Sequence, residues 1–212
     1  MSTILGPPAP PLRAGGPALR PMIRVAVLDD HPAVRLGLRA ALAGEPGLVP
    51  VGSAASAAEL PSLLYRTDPD VVLLDHRLPD ADGLSLCHGL KAREPRRKVI
   101  LYSAGADDAM VVPAAVAGAD GLVHKTARPY DLFEAIRHVA RGGRWLPEPT
   151  PAQLEVAGGA LDPDDLPILA MTLARTSYGE IAETIGVRRA SVDRRIRAML
   201  ARMQAPLATP SP

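Results

Sequence analysis

Between Ile23 and Gly142, short apolar runs alternate five times with amphipathic segments, and this alternation constrains the chain more than any other feature. A repeat of that kind folds as a parallel sheet with helices on both faces, because parallel neighbours need a crossover and the crossover helix needs a sheet face to cover. Strands are read at Ile23 to Leu28, Leu48 to Ala54, Val71 to Leu74, Lys98 to Tyr102 and Gly121 to Val123. Helices are expected to start near Pro32, Ala57, Leu84, Asp108 or Pro113, and Arg128. The third and fourth strands are continuously apolar, as strands buried on both faces are.

After Gly143 the pattern changes. Residues 144–161 are rich in proline and carry adjacent glycines, so they are read as a linker. From Asp162 to residue 204 three helices are expected and no strand: Pro163 to Arg175, Tyr178 to Ile185 and Arg189 to Met203. The fold class is therefore α/β, a doubly wound five-stranded parallel sheet over 22–143, with a second, small all-α domain. The Pro- and Gly-rich stretch 1–21 and the tail 205–212 are expected to be disordered. Because composition changes abruptly at Met22, translation is expected to start there.

The net charge of +1 does not announce a nucleic-acid partner, so any such contact must come from a local cluster of base. Cys87 is the only cysteine, which excludes an intrachain disulfide or a thiolate metal site and fits a reducing cytoplasm. No apolar run is long enough to span a bilayer, and the first twenty residues lack a secretory pattern. A cytoplasmic protein with no membrane partner is expected.

In an open sheet of this kind, ligands gather at the C-terminal ends of the strands. Asp29 and Asp30 follow the first strand, Asp75 the third, Ser103 the fourth and Lys125 the fifth. Four strand ends thus deliver three carboxylates, a hydroxyl and an ammonium to one rim. Three converging carboxylates repel one another unless a cation joins them, and an all-oxygen site suits hydrated Mg²⁺. An aspartate can also attack phosphorus, giving an acyl phosphate whose charge needs a metal, a hydroxyl and a cation around it. Singly, these residues are ordinary: an Asp after a strand often caps a helix, and a lone Lys is usually solvated. It is the set, in this order, that carries the reading.

The segments VAVLDDHPAVRLGL, DVVLLDHRLPDADGL, VILYSAGADD and ADGLVHKTARPYDLFEAI resemble the receiver domains of bacterial response regulators. The resemblance implies a flavodoxin-like fold in which a sensor histidine kinase phosphorylates Asp75. It further implies that Asp30, Asp75 and the Arg77 carbonyl bind Mg²⁺, with Asp29 helping through water, and that Ser103, the Ala104 amide and Lys125 grip the phosphoryl oxygens. Pro79 and Gly83 match the loop after the phosphorylated residue, where the glycine is expected to supply a backbone angle that other residues avoid. Two departures stand out. Leu122 occupies a position where the family usually has Tyr or Phe, and Pro113 falls inside the fourth helix.

In the C-terminal domain, Asp162 before Pro163 is expected to cap the first helix, SYGE at Ser177 to Glu180 reads as a capping box, and IGV at Ile185 to Val187 as a turn. The last helix puts Val192, Ile196, Met199, Leu200 and Met203 on one face and Arg188, Arg189, Arg194, Arg195, Arg197 and Arg202 elsewhere, opposed only by Asp193. Such a stripe commonly only solubilises a helix. Here it follows two capped helices and a short turn, the order of a helix-turn-helix. The segment from Leu161 to Met203 resembles the LuxR-type output domain of the NarL/FixJ class, which implies that this last helix enters the DNA major groove. Arg188, Arg189, Asp193, Arg194 and Arg195 are the expected DNA-contacting residues.

The whole then reads as a DNA-binding response regulator, working as a homodimer, whose phosphorylation biases the dimer or releases the two domains from each other. Leu122 and Pro113 keep open an alternative in which the receiver is a phosphorylation-independent dimerisation module. A Mg²⁺-dependent phosphatase is disfavoured. Such enzymes place a second acid two residues after the nucleophile that ends the first strand, whereas Asp29 and Asp30 are adjacent.

Overall fold

The computed structural model describes residues 22–204. The expected extension 1–21 and tail 205–212 lie outside the described residues. Strands β1 (Ile23–Leu28), β2 (Leu48–Ala54), β3 (Val71–Leu74), β4 (Lys98–Ser103) and β5 (Gly121–His124) form one parallel sheet in the order β2-β1-β3-β4-β5. The last two run one residue beyond their sequence-read ends.

Alternation along β1 sends Val25 and Val27 to one face and Ala26 and Leu28 to the other. On the first face Leu38 and Leu42 of helix α1 (Pro32–Ala43) and Leu132 and Ile136 of α5 (Pro129–Ala140) complete a buried layer. On the second lie α2 (Leu60–Thr67), α3 (Gly83–Arg93) and α4 (Val111–Val116), contributing Leu63, Leu84, Cys87 and Val112. Chain order reverses between β1 and β3, so the loops after these strands diverge and leave a crevice at their C-terminal ends.

The helix starts follow from local chemistry. Pro32 and Pro129 stand in the first turns of α1 and α5, and the Asp82 carboxylate caps α3 by accepting from the Leu84 and Ser85 amides. A 3-10 turn at Asp108–Met110 leads into α4, which places Pro113 in the helix's first turn. No intrahelical donor is needed there, so the proline is accommodated without a kink and the helix is simply short.

The segment read as a linker is not loop throughout: Pro151–Gly159 forms helix α6. Thr150 and Gln153 cap its start reciprocally, Pro151 occupies the first turn, and the adjacent glycines sit at its end. Upstream, Trp145 pairs with the open edge of β5. The Leu122 amide donates to the Trp145 carbonyl, and the Trp145 amide to the Asp120 carbonyl, each at 2.8 Å.

The C-terminal domain contains α7 (Leu166–Leu173), α8 (Tyr178–Thr184) and α9 (Arg189–Gln204). The Ser177–Glu180 capping box is present, and Gly186 turns the chain between α8 and α9 with φ of 68°. Asp162 does not cap as expected; its carboxylate pairs instead with Arg202 at 2.7 Å, a partner far along the chain. Val192, Ile196, Met199 and Leu200 are buried, and their core runs without a break into that of α3 and α4. The two domains are thus closed upon each other. Among the described residues, no helix is long and apolar enough to cross a membrane.

Candidate functional site

The backbone ladder continues one residue past the strand ends and fixes the rim. The Asp75 amide donates to the Leu28 carbonyl at 2.8 Å, and the Lys125 amide to the Ser103 carbonyl at 3.0 Å. Asp29, Asp75 and Ser103 are buried at the tips of β1, β3 and β4. Lys125 reaches across them, with its Nζ 2.7 Å from Asp29 Oδ2 and 2.7 Å from Asp75 Oδ2. Burial works against the charge on this amine, but the two carboxylates outweigh it and hold Lys125 above its ordinary value. Ser103 Oγ accepts from the Gly105 amide at 3.1 Å, which leaves its proton available to a ligand.

Asp30 joins from the crevice side. Ligand atoms of Asp29, Asp30, His31 and Asp75 all lie within 4.8 Å of one another, so these side chains could hold a cation. The sequence reading did not single out His31. Its Nδ1 lies 2.7 Å from Asp30 Oδ1 and 3.2 Å from Asp29 Oδ1, and its position directly after the Asp pair was the signal available. Tyr102 was missed too; its hydroxyl donates to the Lys125 carbonyl at 3.2 Å.

The loop after Asp75 is drawn tight. The backbones of Arg77 and Asp82 pair as an isolated antiparallel bridge, and the Gly83 amide donates to the His76 carbonyl at 2.7 Å. Gly83 has no left-handed backbone, contrary to expectation. What demands glycine is space. A Cβ there would stand 2.7 Å from His76 Cα and 2.9 Å from its carbonyl oxygen, and closer still to the Asp75 carbonyl oxygen.

The model of the response regulator receiver domain matches residues 25–137. The chain is 35% identical over 164 residues to the DNA-binding transcriptional activator DevR/DosR of Mycobacterium tuberculosis, a match that covers 76% of this chain and 75% of that protein.

The chain belongs to the response regulator family.

A second relative of this response regulator, the nitrate/nitrite response regulator NarL of Escherichia coli, is 31% identical over 124 residues, 58% of this chain and 57% of that protein. Among solved structures, a LuxR-family two-component response regulator from Aurantimonas sp. superposes with a TM-score of 0.55 at 28% identity, covering 73% of this chain and 96% of that one.

In this response regulator the five residues expected to contact DNA are not equally free. Arg188 and Arg194 are exposed. Arg195 pairs with the buried Asp165 at 2.7 Å within its own domain. The other two touch the receiver: Arg189, although itself exposed, donates to the Ala92 carbonyl at 3.1 Å, and the half-buried Asp193 lies 2.8 Å from His88 Nε2. At the far end of α9, Gln204 donates to Asp82 in the loop next to the acidic pocket, at 3.1 Å.

Proposed function

We propose that this protein is a DNA-binding transcription regulator of a two-component system, phosphorylated on Asp75 by a sensor histidine kinase in the cytoplasm. The observation that carries the reading is Lys125, from the end of β5, lodged between Asp29 and Asp75 at the tips of the neighbouring strands β1 and β3. One Asp75 oxygen attacks phosphorus, the P–N bond of the kinase phosphohistidine breaks, and its electron pair stays with the imidazole. Lys125 follows the negative charge onto the new phosphoryl group, and the Ser103 hydroxyl donates to one of its oxygens.

The donor set fits a hard divalent cation. It is dominated by carboxylates, and it is compact enough that an ammonium already occupies part of the space between two of them. Asp29, Asp30, Asp75 and the Arg77 carbonyl would hold Mg²⁺, which when bound neutralises charge developing on the phosphoryl oxygens.

The similarity to DevR/DosR, a DNA-binding activator, supports assigning α8 and α9 to DNA. Arg188, Arg189, Arg194 and Arg195, with Asp193 on the same helix, would face a site of two half-sites, read by a homodimer. In the closed arrangement Arg189 and Asp193 are held by the receiver, so phosphorylation acts by releasing them. The test is genome-wide occupancy of the wild type against Asp75→Ala, together with intact mass after acetyl phosphate and Mg²⁺. A gain of one phosphoryl group, absent in Asp75→Ala, and phosphate-dependent occupancy are expected. Leu122, buried where the family carries an aromatic switch, favours the second reading, in which the receiver only dimerises. A mass gain at Asp75 with unchanged DNA affinity would select it.

A further inference from the structure

His88 lies on α3 of the receiver and is completely buried, yet both of its hydrogen-bond partners belong to the other domain. Nε2 is 2.8 Å from Asp193 Oδ1 on α9, and Nδ1 is 3.0 Å from the Tyr178 hydroxyl on α8. The two rings lie 5.4 Å apart, tilted by 41°. A carboxylate can only accept, so Nε2 carries the proton and Nδ1 accepts from the Tyr178 hydroxyl. That is the neutral ring with both nitrogens satisfied. A buried polar group whose every partner lies across a domain junction has its cost of burial offset only while the junction is shut.

We propose that His88 is an uncharged latch between the receiver and the recognition helix, and that acidification unfastens it. This rests on the reading that the closed arrangement withholds α9 from DNA.

The surroundings of the ring decide the sign. On its own helix, the Cys87 thiol is pushed up to about 12 by burial and stays neutral, while Lys91 is committed to Asp120 at 2.9 Å. From α8 comes Tyr178, likewise pushed up to about 12, chiefly by burial, so it remains a donor. From α9 come Asp193, Arg197 and Arg189, and α4 presents no charged residue. The Asp193 carboxylate is already shared with Arg197 at 3.1 Å, so an imidazolium at His88 would be a second cation on one acid. Burial dominates and holds His88 below its ordinary value despite Asp193.

With the closed-state value depressed, the open state binds the proton more readily. The junction is at full strength above the ordinary histidine value of about 6.5 and weakens as pH falls through it toward the closed value. At pH 5.5 the closed-to-open ratio drops by up to about tenfold.

The test uses the full chain carrying dyes at Tyr65→Cys and Val187→Cys, both exposed positions, with energy transfer reporting the open fraction from pH 7.5 to 5.5. The open-to-closed ratio should rise by up to about tenfold, and His88→Gln, which can donate and accept but does not titrate in this range, should give a flat curve. A flat wild-type curve, or an unchanged slope in His88→Gln, overturns the proposal. Should His88→Gln not fold, Asp193→Asn decides: it keeps an acceptor but removes the charge that favours the imidazolium in the closed state, so acid must open the junction more readily and the opening midpoint must move to higher pH, and an unmoved midpoint overturns the latch. Beryllofluoride with Mg²⁺ at pH 7.5 separates the two readings. Opening by acid without opening by beryllofluoride refutes gating through Asp75; opening by beryllofluoride alone refutes the latch.

Discussion

Replacing Gly83 with alanine places a methyl group against backbone rather than against a side chain that could swing away. The obstacles are the Asp75 carbonyl oxygen and His76, with His76 Cα 2.7 Å and its carbonyl oxygen 2.9 Å from the new carbon. Carbon atoms pack comfortably at about 3.5–4.0 Å, so the end of β3 and the start of α3 must part by the better part of an ångström. Overpacking of this kind costs about 1–3 kcal/mol, and an obstacle made of main chain puts Gly83→Ala near the top of that range. For a chain of this length, about 3 kcal/mol lowers Tm by roughly 6–12 °C. Gly89→Ala is the control, since it lies on the same helix and its methyl would meet nothing within 4 Å. That substitution should be neutral or raise stability by up to about 1 kcal/mol. Thermal unfolding followed by circular dichroism compares the pair, and intact mass with acetyl phosphate reads phosphorylation. Gly83→Ala should also take up phosphate more slowly, because the displaced carbonyl belongs to Asp75 itself. If Gly83→Ala melts within 2 °C of Gly89→Ala, the steric argument fails.

Three further outcomes are expected. Adding Mg²⁺ at ten times its Kd should stabilise the chain by about 1.4 kcal/mol in thermal melts, and Asp30→Asn should diminish that gain; equal gains would remove Asp30 from the site. The Cys87 thiol, buried and pushed up to about 12, should resist iodoacetamide at pH 8 in the folded chain and react once urea is added, as mass spectrometry will report. Ser177→Ala, which deletes the hydroxyl accepting from the Glu180 amide, should cost about 1 kcal/mol in urea unfolding; an unchanged midpoint would mean the cap contributes nothing.

The sheet was legible because its signal is local: apolar runs such as Val71–Leu74 can be buried on both faces only in the middle of a parallel sheet. The acidic rim was legible because topology alone sends the ends of parallel strands to one edge. Helix α6 escaped notice because Pro151 and the adjacent glycines read as breakers, although in a first turn and at a helix end both are favourable; the Thr150–Gln153 capping box was the overlooked cue. Other features could not be read locally at all. Whether Asp162 caps its helix or answers Arg202 depends on where a helix forty residues away comes to rest. The same holds for His88, whose neighbours in sequence give no hint of Tyr178 or Asp193.

Because Trp145 is stitched to the sheet edge, the tether between the two units starts there and runs only over residues 146–161. Nine of those residues form α6, a rod of about 14 Å, so an undocked helical domain swings on a short, partly stiff arm. On so brief a leash the partners meet again at an effective concentration in the millimolar range. DNA must therefore compete with a neighbour that never diffuses away, and a junction that joins a continuous apolar core to a few polar contacts is strong enough to set the threshold for a response.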